Sequence, residues 1–281
     1  LFFACFAGES FAQNLEFLAD KITRGNTEEK REALRQIRNL ETPEASLKAV
    51  PALRDSAEIV RATAAFSVIY LPKDEAFSVL LPLLSDKKEL VRREAAYALG
   101  KVRNPSAVNP LLQILQKDKI TEVRNAAAVA LGEIGDVSAV DALTRVLQRR
   151  PRETDEFLRR SAARSIGQIA QIIQTDKAKV LTPENFLPEQ YKSTGTPQYT
   201  KLVEQFPVFS AAVNVLIQTL RGESESADAK REAAFALGAI GDEAAVPILQ
   251  ANLNNPDYYL VEISKESLRK IRISFDSKNP K

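Results

Sequence analysis

Small and apolar residues recur along this chain at positions i, i+3, i+4 and i+7, in stretches set about 31 to 35 residues apart. IVRATAAFSVIYL, LVRREAAYALGKV, EVRNAAAVALGEIGD, FLRRSAARSIGQI and AKREAAFALGAIGD show the pattern best. Positions with that spacing share one face of a helix. Aligned on a basic anchor (Lys30, Arg61, Arg92, Arg124, Arg159, Lys230), the stretches carry Ala33-Leu34, Ala64-Ala65, Ala95-Ala96, Ala127-Ala128, Ala162-Ala163 and Ala233-Ala234 three and four residues on. Seven residues on stand Ile37, Val68, Leu99, Leu131, Ile166 and Leu237. Each stretch is predicted to be a helix whose small-residue stripe lets a neighbouring helix approach closely. Gly100, Gly132, Gly167 and Gly238 follow the stripe, and the helix is expected to stop and turn near them.

A second helical pattern follows the first: ASLKAVPAL at 45–53, AFSVLLPLL at 76–84, AVNPLLQIL at 107–115, AVDALTRVL at 139–147, AVNVLIQTL at 212–220 and AVPILQANL at 245–253. A helix-turn-helix unit of this length cannot bury its own apolar face and must stack on copies of itself. The expected fold is all-α, a right-handed α-solenoid of about six such repeats closed by a C-terminal capping helix near 257–272.

The steps between anchors are 31, 31, 32, 35 and 71, so the last one marks an insertion at about 171–208 inside the fifth repeat. Its prolines, Pro183, Pro188, Pro197 and Pro207, prevent a long regular helix. Its aromatics Phe186, Tyr191 and Tyr199 fit an ordered flap packed on the solenoid, with a passive loop as the alternative. The first dozen residues differ from the rest. An apolar run from Leu1 to Ala7 is followed by Gly8 and by small residues at Ser10 and Ala12. Residues 1–12 match the tail of a secretory signal peptide, with 13–281 as a single solenoid. An exported or periplasmic protein is expected on that reading, and a cytoplasmic one if the segment is instead a buried helix.

Composition narrows the chemistry. The chain has 281 residues, 39 of them basic and 37 acidic, for a net charge of +2. That balance argues against a dedicated nucleic-acid binder. There is no histidine, which removes imidazole acid-base catalysis, Ser-His-Asp triads and most zinc or non-haem iron sites. One cysteine, Cys5, excludes an internal disulfide. No stretch is apolar and long enough to span a membrane. No catalytic residue, metal ligand or cofactor is expected.

The VRxxAAxALGxIGD signature with a short second helix resembles HEAT repeats, specifically the short HEAT-like type found in phycobilisome lyases, over residues 27–272. The resemblance implies a structural ladder of hydrogen bonds between inter-repeat turns and helices. Its members would be Asp55, Asp86, Asp118 and Glu153, six residues before Arg61, Arg92, Arg124 and Arg159. It also implies that the second helices line a concave face. On that face a polar ridge reads Asn109, Gln113 and Gln116, then Asp141, Arg145 and Gln148, then Asn214, Gln218 and Arg221. Asn and Gln both donate and accept, which suits contact with a protein or peptide surface.

The expected role is a non-catalytic, monomeric scaffold that binds a partner protein or peptide on that face, without nucleic acid. The alternative implied by the resemblance is a bilin lyase or isomerase cradling a tetrapyrrole, although no chromophore-binding motif is recognisable. Deoxyhypusine hydroxylase uses similar repeats with iron held by His-Glu pairs, which a chain without histidine cannot reproduce. HEAT-like DNA glycosylases line their cleft with aromatic and basic residues, and here tryptophan is absent.

Overall fold

The computed structural model describes residues 2–175 and 202–276, with side chains described over 12–175 and 202–271. Among the described residues there are fifteen α-helices and no strand. The chain divides into two compact units, Leu1–Ala130 and Leu131–Lys281.

The first unit opens with α1 (Phe2–Arg24), then α2 (Thr27–Asn39), α3 (Pro43–Ala49), α4 (Glu58–Ser67), α5 (Lys73–Leu80), α6 (Glu89–Val102), α7 (Val108–Lys117) and the start of α8 (Thr121–Ile134). The first helices α2, α4 and α6 stack in order, α2 on α4 and α4 on α6. Ala64, Ala65, Ala95, Ala96, Ala127 and Ala128 are fully buried, as are Ile37, Val68 and Leu99. The stripe read from the sequence is therefore the stacking face. The helix α1 runs unbroken through Ala12 and packs Leu15, Leu18 and Ile22 against α2 and α3. It places a helix ahead of the first repeat read from the sequence.

The second helices α3 and α5 each end in a 3-10 turn, Val50–Arg54 and Leu81–Ser85. Pro51 and Pro82 cause this, because neither has an N–H to continue the α-helical bonding. At the start of α2, Asn26 accepts from the Glu28 and Glu29 amides while Glu29 reaches back to the Asn26 amide. That reciprocal box satisfies amides that the helix itself leaves open.

The second unit holds the end of α8, then α9 (Val140–Gln148), α10 (Glu156–Thr175), α11 (Leu202–Gln205), α12 (Val208–Arg221), α13 (Ala227–Ile240), α14 (Val246–Ala251) and α15 (Tyr258–Asp276). The helix α10 packs on α13 and α13 on α15, while α9 packs on α12. The expected C-terminal helix is present as α15, with Leu260, Ser264, Ser267 and Ile271 buried. The fifth repeat departs from expectation at its edge: α10 continues to Thr175 with Gln171 buried, beyond the residue where the insertion was expected to begin.

The glycines also act differently from the expectation. Gly100, Gly132, Gly167 and Gly238 lie inside helices and do not end them. Three of them let the next first helix come close. A Cβ on Gly132 would sit 2.6 Å from Ser165 Cβ, one on Gly167 2.9 Å from the Ala236 Cα, and one on Gly238 2.6 Å from the Ser267 Cα. The stop comes three residues later, where Gly135 and Gly241 adopt φ +82° and +79°, and Arg103 takes the same left-handed place at +55°. The next residue then starts the following turn: Asn104, Asp136 and Asp242 accept from the amides of Ser106, Ser138 and Ala244. The recurring Gly-Asp pair is thus a helix stop joined to a turn start.

Candidate functional site

Two columns of side chains recur through the repeats with opposite fates. The first is the ladder. Each rung joins a cation on a first helix to a carboxylate in the turn before the next first helix. Lys30 Nζ reaches Asp55 Oδ2 at 2.7 Å. Arg61 grips Asp86 with Nε at 2.8 Å and Nη2 at 3.0 Å, and Arg92 grips Asp118 at 2.7 and 3.1 Å. In the second unit Arg231 holds Asp257 at 2.8 and 3.0 Å. Arg159 pairs with Glu225, both side chains being about 5% exposed or less.

This corrects the reading that paired residues six apart. The carboxylate of Asp86 meets Arg61 of the preceding repeat, while Arg92 donates to the Asp86 carbonyl oxygen at 2.9 Å. Likewise Arg61 donates to the Asp55 carbonyl oxygen at 2.8 Å. Glu153 is exposed, and the acid that faces Arg159 is Glu225. Arg124 donates from Nη2 to Thr121 Oγ1 of its own helix at 2.7 Å. In the last repeat the rung cation is Arg231 and not the anchor Lys230. A cation followed by an acid 25 or 26 residues later is the signal that would have found the rungs. The Arg159–Glu225 separation of 66 carries the insertion within it.

Every ladder aspartate works twice. Besides accepting from the cation, through one oxygen in Asp55 and through both in Asp86, Asp118 and Asp257, each uses Oδ1 to accept from a backbone amide at the start of the next first helix: Ala57 for Asp55, Lys88 for Asp86, Ile120 for Asp118 and Tyr259 for Asp257. Burial alone would raise these four carboxyl pKa values, but the cation's hydrogen bond and the turn amides outweigh it and hold them below the usual range. The paired guanidinium groups of Arg61, Arg92 and Arg231 are raised, chiefly by the hydrogen bond to their aspartate. Arg159 additionally donates to the carbonyl oxygens of Val146, Leu147 and Arg149, closing the C-terminal end of α9. Each rung thus joins one repeat to the turn of the next.

The second column is the open face of the second helices. Asn109, Gln113 and Gln116 are exposed on α7 in the first unit. Asp141, Arg145 and Gln148 are exposed on α9. Asn214, Gln218 and Arg221 are exposed on α12, which packs beside α9. Within this set Arg145 pairs with Asp141 one helical turn away. The same column in the first two repeats holds Leu47, Pro51 and Arg54, then Ser78, Pro82 and Ser85, all exposed. Phe186, Tyr191 and Tyr199 lie outside the described residues. Among the described residues, no group of three or more His, Cys, Asp or Glu is placed to hold a metal ion, and no helix is long and apolar enough to cross a membrane.

Stacked helix pairs joined by such a ladder define a helical-repeat protein of the α-solenoid class. The chain is a HEAT-repeat protein: the model for HEAT repeats matches residues 46–132, 78–167 and 110–183, and that for the PBS lyase HEAT-like repeat matches 229–255. No curated protein matches the sequence. Among solved structures, an engineered protein is 21% identical with a TM-score of 0.55, over 92% of this chain and 68% of that one. The complex of CpcE and CpcF of phycocyanin lyase from Nostoc sp. PCC7120 is 19% identical with a TM-score of 0.50, over 93% and 94%. A designed armadillo repeat protein is 16% identical, also at 0.50, over 92% and 99%. At these identities the likeness is one of fold.

Proposed function

We propose that this HEAT-repeat chain is a non-catalytic scaffold that binds a partner protein or peptide through the exposed face of its second helices. One observation carries the reading. All nine ridge residues, from Asn109 to Arg221, are exposed, and apart from the Asp141–Arg145 pair they serve no rung, cap or core contact described above. The turn aspartates Asp55, Asp86, Asp118 and Asp257, by contrast, are tied up in the ladder. Extended repeat surfaces act by presenting many weakly committed polar contacts together with a few apolar anchors.

The test is capture of partners by the full chain beside a variant with Gln113→Glu, Arg145→Glu and Gln218→Glu, each shown folded by its melting curve. A partner held by the wild type and lost by the variant is the expected result. Equal recovery with both would remove the ridge from the reading. A bilin-dependent absorbance change on titration with a free tetrapyrrole would instead favour an enzyme-like cradle.

A further inference from the structure

The open face of the first unit is not uniform, and its pattern specifies a partner more closely than the ridge does. On α3 and in the 3-10 turns that follow α3 and α5, its centre carries exposed apolar groups: Leu47 at 58% and Leu81 at 37% exposure, with Pro51 and Pro82 exposed beside them. Pro51 and Pro82 take the same place on two consecutive repeats, with Leu47 and Leu81 near them, and such grouped apolar surface differs from singly scattered surface leucines, which need no explanation. Within this centre the one charged side chain is Lys48, and it is turned away to Glu16 of α1.

The two edges of the face are charged with opposite sign. At the N-terminal ends of the second helices stand Glu44, Asp74 and Glu75, with Lys73 among them, all exposed. At the C-terminal ends and in the turns that follow stand Arg54, Lys87, Lys117 and Lys119, all exposed. The ladder explains why that second edge is basic. Asp55, Asp86 and Asp118 lie between these cations in sequence, but Lys30, Arg61 and Arg92 already hold their carboxylates. Arg54, Lys87, Lys117 and Lys119 are left out of any ion pair among the described residues. The exposed acids nearest in sequence, Glu89 and Glu122, sit in the first turns of α6 and α8, on first helices. Helix dipoles account for the signs at the two ends. They do not account for an uncharged strip with leucines left in water between them.

We infer that this face of the first unit seats an amphipathic helix of a protein partner. The partner's apolar stripe covers Leu47, Pro51, Leu81 and Pro82. Its acidic flank faces Arg54, Lys87, Lys117 and Lys119, and its basic flank faces Glu44, Asp74 and Glu75. A helix fits where an extended strand does not. A strand presents one row of alternate side chains to a surface, whereas a helix presents an apolar stripe with a separate row on either side. The inference rests on the scaffold reading for the choice of face; of the ridge substitutions above, Gln113→Glu lies on this face, in the column of Pro51 and Pro82, while Arg145→Glu and Gln218→Glu lie in the second unit.

The experiment is fluorescence anisotropy of the full chain with four labelled synthetic 21-residue helical peptides. One has a leucine stripe flanked by Glu on one side and Lys on the other. The second has Glu on both sides, the third Lys on both, and the fourth is a scramble without a stripe. The mixed-flank peptide is expected to bind about tenfold tighter than the others, the step that one well-placed anchor or charge row supplies. Leu47→Asp with Leu81→Asp is expected to abolish the difference. Reversal of all four cations, Arg54→Glu, Lys87→Glu, Lys117→Glu and Lys119→Glu, is expected to transfer preference to the all-Lys peptide, a gain that unfolding cannot imitate. Equal binding of all four peptides, tightest binding of the all-Glu peptide, or an unchanged preference in the charge-reversed variant would each overturn the inference. Discrimination lost here while the ridge variant still loses captured partner sinks this inference and leaves the scaffold reading standing. The reverse pattern sinks the ridge alone.

Discussion

The turns ahead of the first helices and the open face of the second helices are built from the same repeat, yet they use polar side chains in opposite ways. In the turns the same residue type occupies the same place, as Asp55, Asp86, Asp118 and Asp257, and each is met by a cation from 25 or 26 residues earlier. On the open face the equivalent column changes from Leu47 to Ser78, Asn109, Asp141 and Asn214. A column of constant chemistry answers a demand that every repeat makes, here the satisfaction of turn amides and the joining of neighbours. A column whose chemistry changes from repeat to repeat answers no such demand, and that leaves it available to a partner.

The sharpest way to break this contrast is Arg159→Ala. The change leaves Glu225 charged and buried and removes the donor from three carbonyl oxygens. Stripping one member from a buried pair costs about 3–5 kcal/mol, so the urea midpoint is expected to fall steeply. A loss below about 1 kcal/mol would put the pair in the class of exposed bridges and undo the argument that the ladder is internal. Gly238→Ala comes next. Alanine would gain roughly 0.5–1 kcal/mol of helix preference over glycine, but its Cβ would lie 2.6 Å from the Ser267 Cα. Overpacking of that kind costs about 1–3 kcal/mol, so net destabilisation is expected. A stabilised variant would show that α13 and α15 can separate freely.

Acid sharpens the comparison within the carboxylates themselves. The ladder aspartates have folded pKa values below their unfolded ones. Their contribution is therefore fully present above the unfolded value, about 3.9, and is lost as pH falls through the folded values. Urea midpoints should drop below about pH 4, and Asp86→Asn with Asp118→Asn should flatten that drop. Glu232 behaves oppositely. Burial raises its pKa despite Arg164 and Arg160 nearby. The fold favours its protonated form, so this group subtracts stability as pH rises from the unfolded value through the folded one. Glu232→Gln is expected to raise the midpoint at pH 7 and to leave it unchanged below the unfolded value. A Glu232→Gln variant that is weaker than the wild type at pH 7 would mean that the charge of Glu232 is needed by its arginine neighbours.

The stacking face was legible in the sequence because one helix sets it: Ala64, Ala65 and Val68 meet the rule of i+3, i+4 and i+7 without reference to anything distant. The rungs were legible as residue types but not as pairs. Asp86 is closest in sequence to Arg92 and closest in space to Arg61, because stacking brings its carboxylate against the preceding helix. Gly167 looked like a stop for the same kind of reason. A glycine that ends a helix and one that admits Ala236 at close range are the same letter, and only the neighbour separates them. A buried helix was only the alternative for residues 1–12, and the run of α1 on to Arg24 was not legible, because Leu15, Leu18 and Ile22 follow helical spacing without the alanine pair that marked the repeats. For the open face, exposure of the nine ridge residues follows from the fold, while the identity of what they meet is written in another molecule.

The smallest expected effect is on the open face, where the contrast requires almost nothing to happen to the fold. Gln113→Glu and Gln218→Glu replace exposed amides, and Gln113 and Gln218 take part in none of the rungs and caps described above. Surface changes away from such features usually stay within about 0.5 kcal/mol. Both variants should therefore melt with the wild type while changing what the chain captures. The two measurements must be made on the same protein, because each alone is ambiguous. A lost partner with a lowered melting point is only a damaged scaffold, and an unchanged melting point with an unchanged partner is only an idle surface. Loss of the partner from a chain of undiminished stability separates the two columns, one holding the repeats to each other and the other holding something else to the repeats.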